Sequence, residues 1–308
     1  MRVAVVGAGG LGSYVGAVLW RAGHEVALVA RGDHAAAIRT DGLRVSTVDG
    51  DFVAQPDCVL SALELDGADL TLVTVKAYSL DEVGPQVVHL GRAGSVVVPL
   101  LNGVTASERL VALGVPGEHI VDGIAYMTSF RTAPGRIERR ADHHSLVVGS
   151  STGADAAAID LIVEAFDTTG IEIVAAANIN VELWRKMAVV CALSVVCAIS
   201  GRPMGPIRAH RYGAELQRRT IAEIISVGRA QGADLSKRTE DEIGVILDAF
   251  PADFHPSVIH DLLAGKRTEM EDLGGAIVRM GAETGVDVPL HYAATLAVQV
   301  REGGPTSG

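Results

Sequence analysis

The sequence predicts an α/β domain built on a doubly wound parallel sheet, followed by an all-α second domain. Three observations carry this reading. A strand, a glycine turn and a helix follow one another at the N-terminus. Strands alternate with helices as far as residue 177. Beyond that point helix follows helix with no convincing strand.

The elements follow in order. Residues 3–6 are a short apolar run ending in glycines. Residues 11–22 have helical periodicity and stop at Gly23, a helix C-cap, and 25–30 form a second apolar run. Residues 70–75 (LTLVTV) and 95–100 (SVVVPL) read as strands, with a helix-like stretch over 80–90 between them. Shorter strand candidates lie at 120–125, 136–140 and 145–148, then a helix over 155–168 and a last strand over 171–174. In the helical half, breaks fall at 201–206, Gly232, 251–256 and 285–289. The predicted division is therefore 1–177 and 178–303, with 304–308 as a flexible tail.

Bulk properties exclude several classes. A formal net charge of −11 over 308 residues argues against nucleic acid or an anionic membrane as a partner, while leaving room for a local basic pocket for a small anion. Three cysteines, an odd number without a CxxC pair, suit a reducing cytoplasm, and no His/Cys spacing suggests a metal site. The N-terminus runs straight into a strand without a signal-peptide pattern. The longest apolar stretch, 187–199, is too short to span a bilayer and fits a buried helix.

The first motif is Gly7-Ala8-Gly9-Gly10-Leu11-Gly12, which matches G-x-G-x-x-G between a strand and a helix, the context that makes it a dinucleotide turn. Gly7 permits the tight turn, Gly9 lets backbone approach a pyrophosphate, and Gly12 allows close helix–strand packing at a helix end that attracts phosphate. NAD-binding versions carry an acid at the end of the second strand. Here Val29-Ala30 is followed by Arg31, which suits a 2′-phosphate and tilts the cofactor to NADP(H). Asp33 reads as the N-cap of the next helix.

Lys76 ends LTLVTVK at the carboxyl edge of the sheet, and Asn102-Gly103 follows the next strand at the equivalent place; both are where polar groups meet a dinucleotide. In the second half, Glu182-Leu183-Trp184-Arg185-Lys186 opens a chargeless stretch that runs to Gly201. Lys186 thus starts a buried segment near the domain boundary, where desolvation lowers its pKa and makes it a usable proton donor; the alternative is a lysine that snorkels to the surface. Ser257 follows Pro256 at a helix start that suits a carboxylate. The run Lys266 to Asp272 reads by itself as a solvated helix face, and nothing in it singles out Glu269.

Together these segments resemble the ketopantoate reductase (2-dehydropantoate 2-reductase) family over nearly the whole chain. The resemblance runs through GAGGLG, Arg31, the VKAY segment at Lys76, Leu101-Asn102-Gly103, ELWRK, and Ser257 through Glu269. It implies a Rossmann domain, a helical C-terminal domain, a site in the cleft between them, and NADPH-dependent reduction of a 2-oxo acid in pantothenate and coenzyme A synthesis. It also implies roles: Lys186 and Glu269 catalytic, Asn102 touching nicotinamide ribose and substrate, Ser257 holding substrate, and Arg31 and Lys76 contacting cofactor.

The sequence departs from the family at the substrate. Family asparagines one and two helical turns after the lysine, which contact ketopantoate, correspond to Val190 and Ser194, and a third corresponds to Met204. Each lost hydrogen bond is worth about 0.5–1.5 kcal/mol. Two alternatives therefore stay open: a reductase of the same fold acting on a more apolar carbonyl, and a non-enzymatic NADP(H)-sensing module. Helical second domains of this kind often pair, so a homodimer is open too, although no single stripe marks it.

Overall fold

A computed structural model describes residues 1–140 and 144–302, so the tail expected at 304–308 lies outside the described residues. The chain forms two compact units. One comprises Met1–Leu101 and Thr105–Ile179; the other comprises Asn102–Val104 and the chain from Asn180 on.

The first unit runs β1 (Arg2–Val6), α1 (Gly10–Arg21), β2 (Glu25–Val29), α2 (Gly32–Asp41), β3 (Leu43–Thr47), β4 (Gly50–Ala54), β5 (Asp57–Val59), β6 (Leu70–Val73), α3 (Leu80–Arg92), β7 (Val96–Pro99) and α4 (Ala106–Leu113). It continues through β8 (Asp122–Tyr126), β9 (Ser129–Ala133), β10 (Arg136–Arg139), β11 (Ser145–Gly149), α5 (Ala156–Phe166) and β12 (Glu172–Ala175). Its main sheet is all-parallel, in the order β5-β2-β1-β6-β7.

The strands of this sheet are apolar on both faces because helices cover both. Val3 and Val5 of β1 pack into a core shared with α1, α2 and α5, through Leu19, Ile38 and Ile162. Ala4 and Val6 pack on the other face against Leu80 and Leu90 of α3 and Leu110 of α4. This is a doubly wound Rossmann-type sheet, and its switch point lies between β1 and β6, where the strand order reverses.

Two smaller sheets, β4-β3-β10-β9 and β12-β11-β8, complete the unit. The β3–β4 hairpin and β9 occupy stretches that the apolar runs do not mark. Their inward residues alternate with exposed ones, as in Leu43 and Val45 beside Arg44 and Ser46, so no continuous apolar segment signals them.

Three local expectations are corrected. The strand leading to Lys76 stops at Val73, and Lys76 instead precedes a single 3₁₀ turn, Ala77–Ser79, that feeds α3. Arg31, not Asp33, is the N-cap of α2; Asp33 sits in the first helical turn, where its charge still complements the helix end. The residues before Glu269 are not a helical face: 266–268 carry no regular structure.

The second unit contains α6 (Ile179–Ser200), α7 (Met204–Ala209), α8 (Gly213–Ala230), α9 (Lys237–Ala249), α10 (Ser257–Leu263), a π-helical turn (Glu271–Gly275), α11 (Ala276–Thr284) and α12 (Pro289–Arg301). α6 is its core, with Met187, Cys191, Val195 and Val196 enclosed among α8, α9, α11 and α12. A methyl on Gly228 of α8 would come within 2.9 Å of Trp184, so glycine there permits close approach of α8 to α6. At 22 residues α6 is longer than its apolar stretch, and by length and hydropathy alone it could cross a membrane; most of it is buried in the unit's own core.

Candidate active site

The glycine turn is built as its chemistry requires. Gly7 has φ +110°, a region that L side chains rarely adopt, and a methyl there would meet Val75 at 2.7 Å. A methyl on Gly12 would collide with the Gly7 carbonyl and the Thr74 hydroxyl. Gly9 faces open space. The first turn of α1 carries no acid, and its leading N–H groups, on Gly10, Leu11 and Gly12, have no partner within the helix. An open glycine before such a helix end fits a pyrophosphate. Ala8 is buried, its N–H donating to Val29 O, which ties the turn to the end of β2.

Three polar side chains that sequence reasoning missed hold this turn. The Thr74 hydroxyl donates to Gly7 O at 2.7 Å. Buried His34 accepts from Gly135 N–H at Nδ1 (2.9 Å), which leaves the proton on Nε2 to reach the Ser13 hydroxyl at 3.1 Å. Burial, and then the charge of Arg131, pushes the His34 pKa down, so the ring stays neutral as this bonding needs. No sequence signal marks the trio, because its members come from α1, α2 and the segment after β6.

At the end of β2, Arg31 is exposed and forms an ion pair with Glu82 in the first turn of α3, Nη1 to Oε1 2.6 Å. Lys76 is half-buried.

The second unit gathers a different set. Lys186, in the second turn of α6, is half-buried, and burial pushes its pKa down to about 8 against the opposing pull of the Glu269 carboxylate. Glu269 is only 3% exposed although Lys266 and Arg267 beside it are exposed; the chain turns inward there before the π-helical turn. Asn102 Nδ2 donates to Glu269 Oε2 at 3.4 Å. Gly103, at φ +105°, lies against Asp272 O, and Val104 packs on the helical core. Residues 102–104, which follow β7, therefore belong structurally to the helical unit. Lys186, Glu269 and Asn102 thus form one cluster from three segments far apart in the chain. An ammonium of lowered pKa beside a buried carboxylate and an amide can bind a carbonyl oxygen and donate a proton.

The remaining expected residues are placed separately. Val190 is half-buried one turn along α6 from Lys186. Ser194 is fully buried, and its hydroxyl donates to Val190 O at 2.8 Å, so that group is engaged with its own helix. Met204 is fully buried, its sulfur 3.9 Å from that of Cys197. Ser257 is exposed at the first position of α10.

Fold and turn together define a dinucleotide-binding protein. The family model described as "Ketopantoate reductase PanE/ApbA" matches residues 3–153, and the corresponding C-terminal model matches 178–302. The chain belongs to the ketopantoate reductase family. The 2-dehydropantoate 2-reductase of Halobacterium salinarum is 32% identical over 98% of each chain. That of Caulobacter vibrioides is 31% identical over 93% of this chain and 94% of its own. Among solved structures, a PanE/ApbA family ketopantoate reductase from Ralstonia eutropha superposes with TM-score 0.89 at 28% identity, covering 98% of this chain and 99% of that one. A D-mandelate dehydrogenase solved with NADH and anilino(oxo)acetate shares the fold, with TM-score 0.89 at 24% identity over the same shares.

Proposed function

We propose that the protein is an NADPH-dependent reductase of a 2-oxo acid, ketopantoate or a close analogue. The observation that carries this reading is the cluster of Lys186, Glu269 and Asn102. The nicotinamide, when bound, supplies the hydride that adds to the ketone carbon. As that bond forms, the carbonyl π electrons move onto oxygen. Lys186 donates a hydrogen bond to this oxygen, stabilises its growing charge and delivers the proton. Glu269 holds the ammonium charged and oriented. Asn102 donates to the carboxylate, limits where it can swing, and offers its amide to substrate and ribose. Lys186 remains half-buried, so it regains its proton from solvent between turnovers. Arg31 and Lys76 contact the cofactor, Arg31 at the 2′-phosphate, and Ser257 binds substrate carboxylate. Three free thiols, Cys58, Cys191 and Cys197, support a reducing, cytoplasmic setting. An exposed apolar stripe on α12, Tyr292, Leu296 and Val300 at spacings of four, supports a homodimer formed through the helical unit.

The test is NADPH oxidation across a panel of 2-oxo acids that includes ketopantoate. Turnover of at least one is expected; cofactor binding with turnover of none rejects the reading.

A second reading is favoured by Val190, half-buried one turn from Lys186: the substrate side chain is more apolar than that of ketopantoate. Comparing kcat/KM for ketopantoate with that for apolar 2-oxo acids separates the two, and a clear preference for ketopantoate rejects it.

A further inference from the structure

The ion pair between Arg31 and Glu82 bridges the switch point of the parallel sheet. Arg31 follows β2 and Glu82 follows β6, the two strands that flank β1, so the pair closes over the carboxyl edge beside the glycine turn. Ligands of open α/β sheets bind outside that edge. A dinucleotide whose pyrophosphate rests on the turn must bring its adenosine ribose toward the end of β2, and hence to this pair. β2 itself ends at Val29 and is followed by Ala30, without an acid. The carboxylate at this place comes instead from α3, 51 residues along the chain from Arg31.

Glu82 is suited to the task in a way its neighbours are not. Asp81, on the same helical turn, is engaged by Arg109 at 3.1 Å. Asp33 lies in the first turn of α2. Glu82 reaches Arg31 at 2.6 Å, and both side chains remain well exposed to an incoming ligand. The two cofactors differ only at the ribose 2′ position. A 2′-phosphate needs the guanidinium fork and is repelled by a carboxylate. A free 2′-hydroxyl donates to a carboxylate and has little use for a guanidinium.

We propose that Glu82 sets the balance between the two nicotinamide cofactors: its carboxylate competes with the 2′-phosphate of NADPH for Arg31 and accepts from the free 2′-hydroxyl of NADH. The chain then accepts both cofactors with a narrow preference, and Glu82 is the residue that keeps it narrow. This inference rests on the reading of Arg31 as the 2′-phosphate contact.

The experiment is direct titration of the unliganded protein with NADPH and with NADH, following nicotinamide fluorescence, for wild type, Glu82→Gln and Arg31→Ala. Thermal melting confirms that each variant is folded. An exposed ion pair of this kind corresponds to at most about a fivefold effect. Glu82→Gln is expected to tighten NADPH about three- to fivefold and to weaken NADH. Arg31→Ala is expected to abolish the preference for NADPH. If Arg31→Ala removes the preference while Glu82→Gln leaves the ratio of the two Kd values unchanged, the role of Glu82 is overturned and that of Arg31 stands. If Arg31→Ala leaves the ratio unchanged, the 2′-phosphate reading falls, and the competition mechanism falls with it.

Discussion

Replacing Glu269 by glutamine removes a charge that opposes the desolvation of Lys186. In the native protein burial lowers the lysine to about 8 and the carboxylate resists that fall. Glutamine keeps the size of the side chain and can still accept from Asn102, so the change is chiefly one of charge. An opposite charge within reach moves a pKa by about 1–3 units; taking the lower figure, Lys186 falls by about one unit, or about 1.4 kcal/mol. Reduction requires the protonated amine, so activity is present at low pH and lost as pH rises through the lysine pKa. At pH 7.5 about three-quarters of the native lysines carry the proton, against about one-quarter in the variant, a roughly threefold loss. At pH 8.5 the loss grows to about eightfold, and near pH 6 it almost vanishes, since both forms are then protonated. The assay is kcat/KM against pH, which reports the free enzyme's groups, with cofactor saturating. The ratio of wild type to Glu269→Gln should climb across this range on top of whatever constant factor the lost orientation adds. A ratio independent of pH would refute the electrostatic coupling.

Three further outcomes follow from the structure. Gly12→Ala drives a methyl into the Gly7 carbonyl and the Thr74 hydroxyl, so we expect a loss of about 1–3 kcal/mol in denaturant titration together with loss of cofactor binding; unchanged NADPH affinity would contradict the packing account of the turn. Glu223 accepts from Leu290 N and His291 N and lies 2.6 Å from Nδ1 of buried His291, so Glu223→Ala, which removes these hydrogen bonds and leaves buried donors unmatched, should destabilise the protein by about 3 kcal/mol, and a change below about 0.5 kcal/mol in urea unfolding would show that these bonds are not needed. Leu296→Glu, in the middle of the exposed stripe on α12, should convert a dimer to monomer in light scattering without unfolding it; a native dimer that persists in the variant would place the interface elsewhere.

What the sequence determined by itself is local. GAGGLG between an apolar strand and a helix is legible because the constraints on Gly7 and Gly12 act over a few residues: a positive φ, and a methyl for which there is no room. Lys186 is legible because a chargeless helix must be buried, and a charge at its start must meet that burial. Helical and strand periodicities likewise reveal the alternating half and the helical half. The family resemblance supplied roles that no local rule could.

The tertiary structure decided whatever depends on contacts between distant segments. Glu269 lies in a run whose composition is that of a solvated face, and it is buried only because the chain turns inward before the π-helical turn. Asn102 follows a strand of the sheet, yet it joins the helical unit through Glu269. The support of the glycine turn by Thr74 and His34, and the pairing of Arg31 with Glu82, bring together residues 21 to 101 positions apart. The β3–β4 hairpin has too few apolar residues to announce itself. Steric limits and periodicity are properties of neighbouring residues and can be read along a chain. Burial of a single charge, and the choice of its partner, are properties of packing that exist only once the chain has folded.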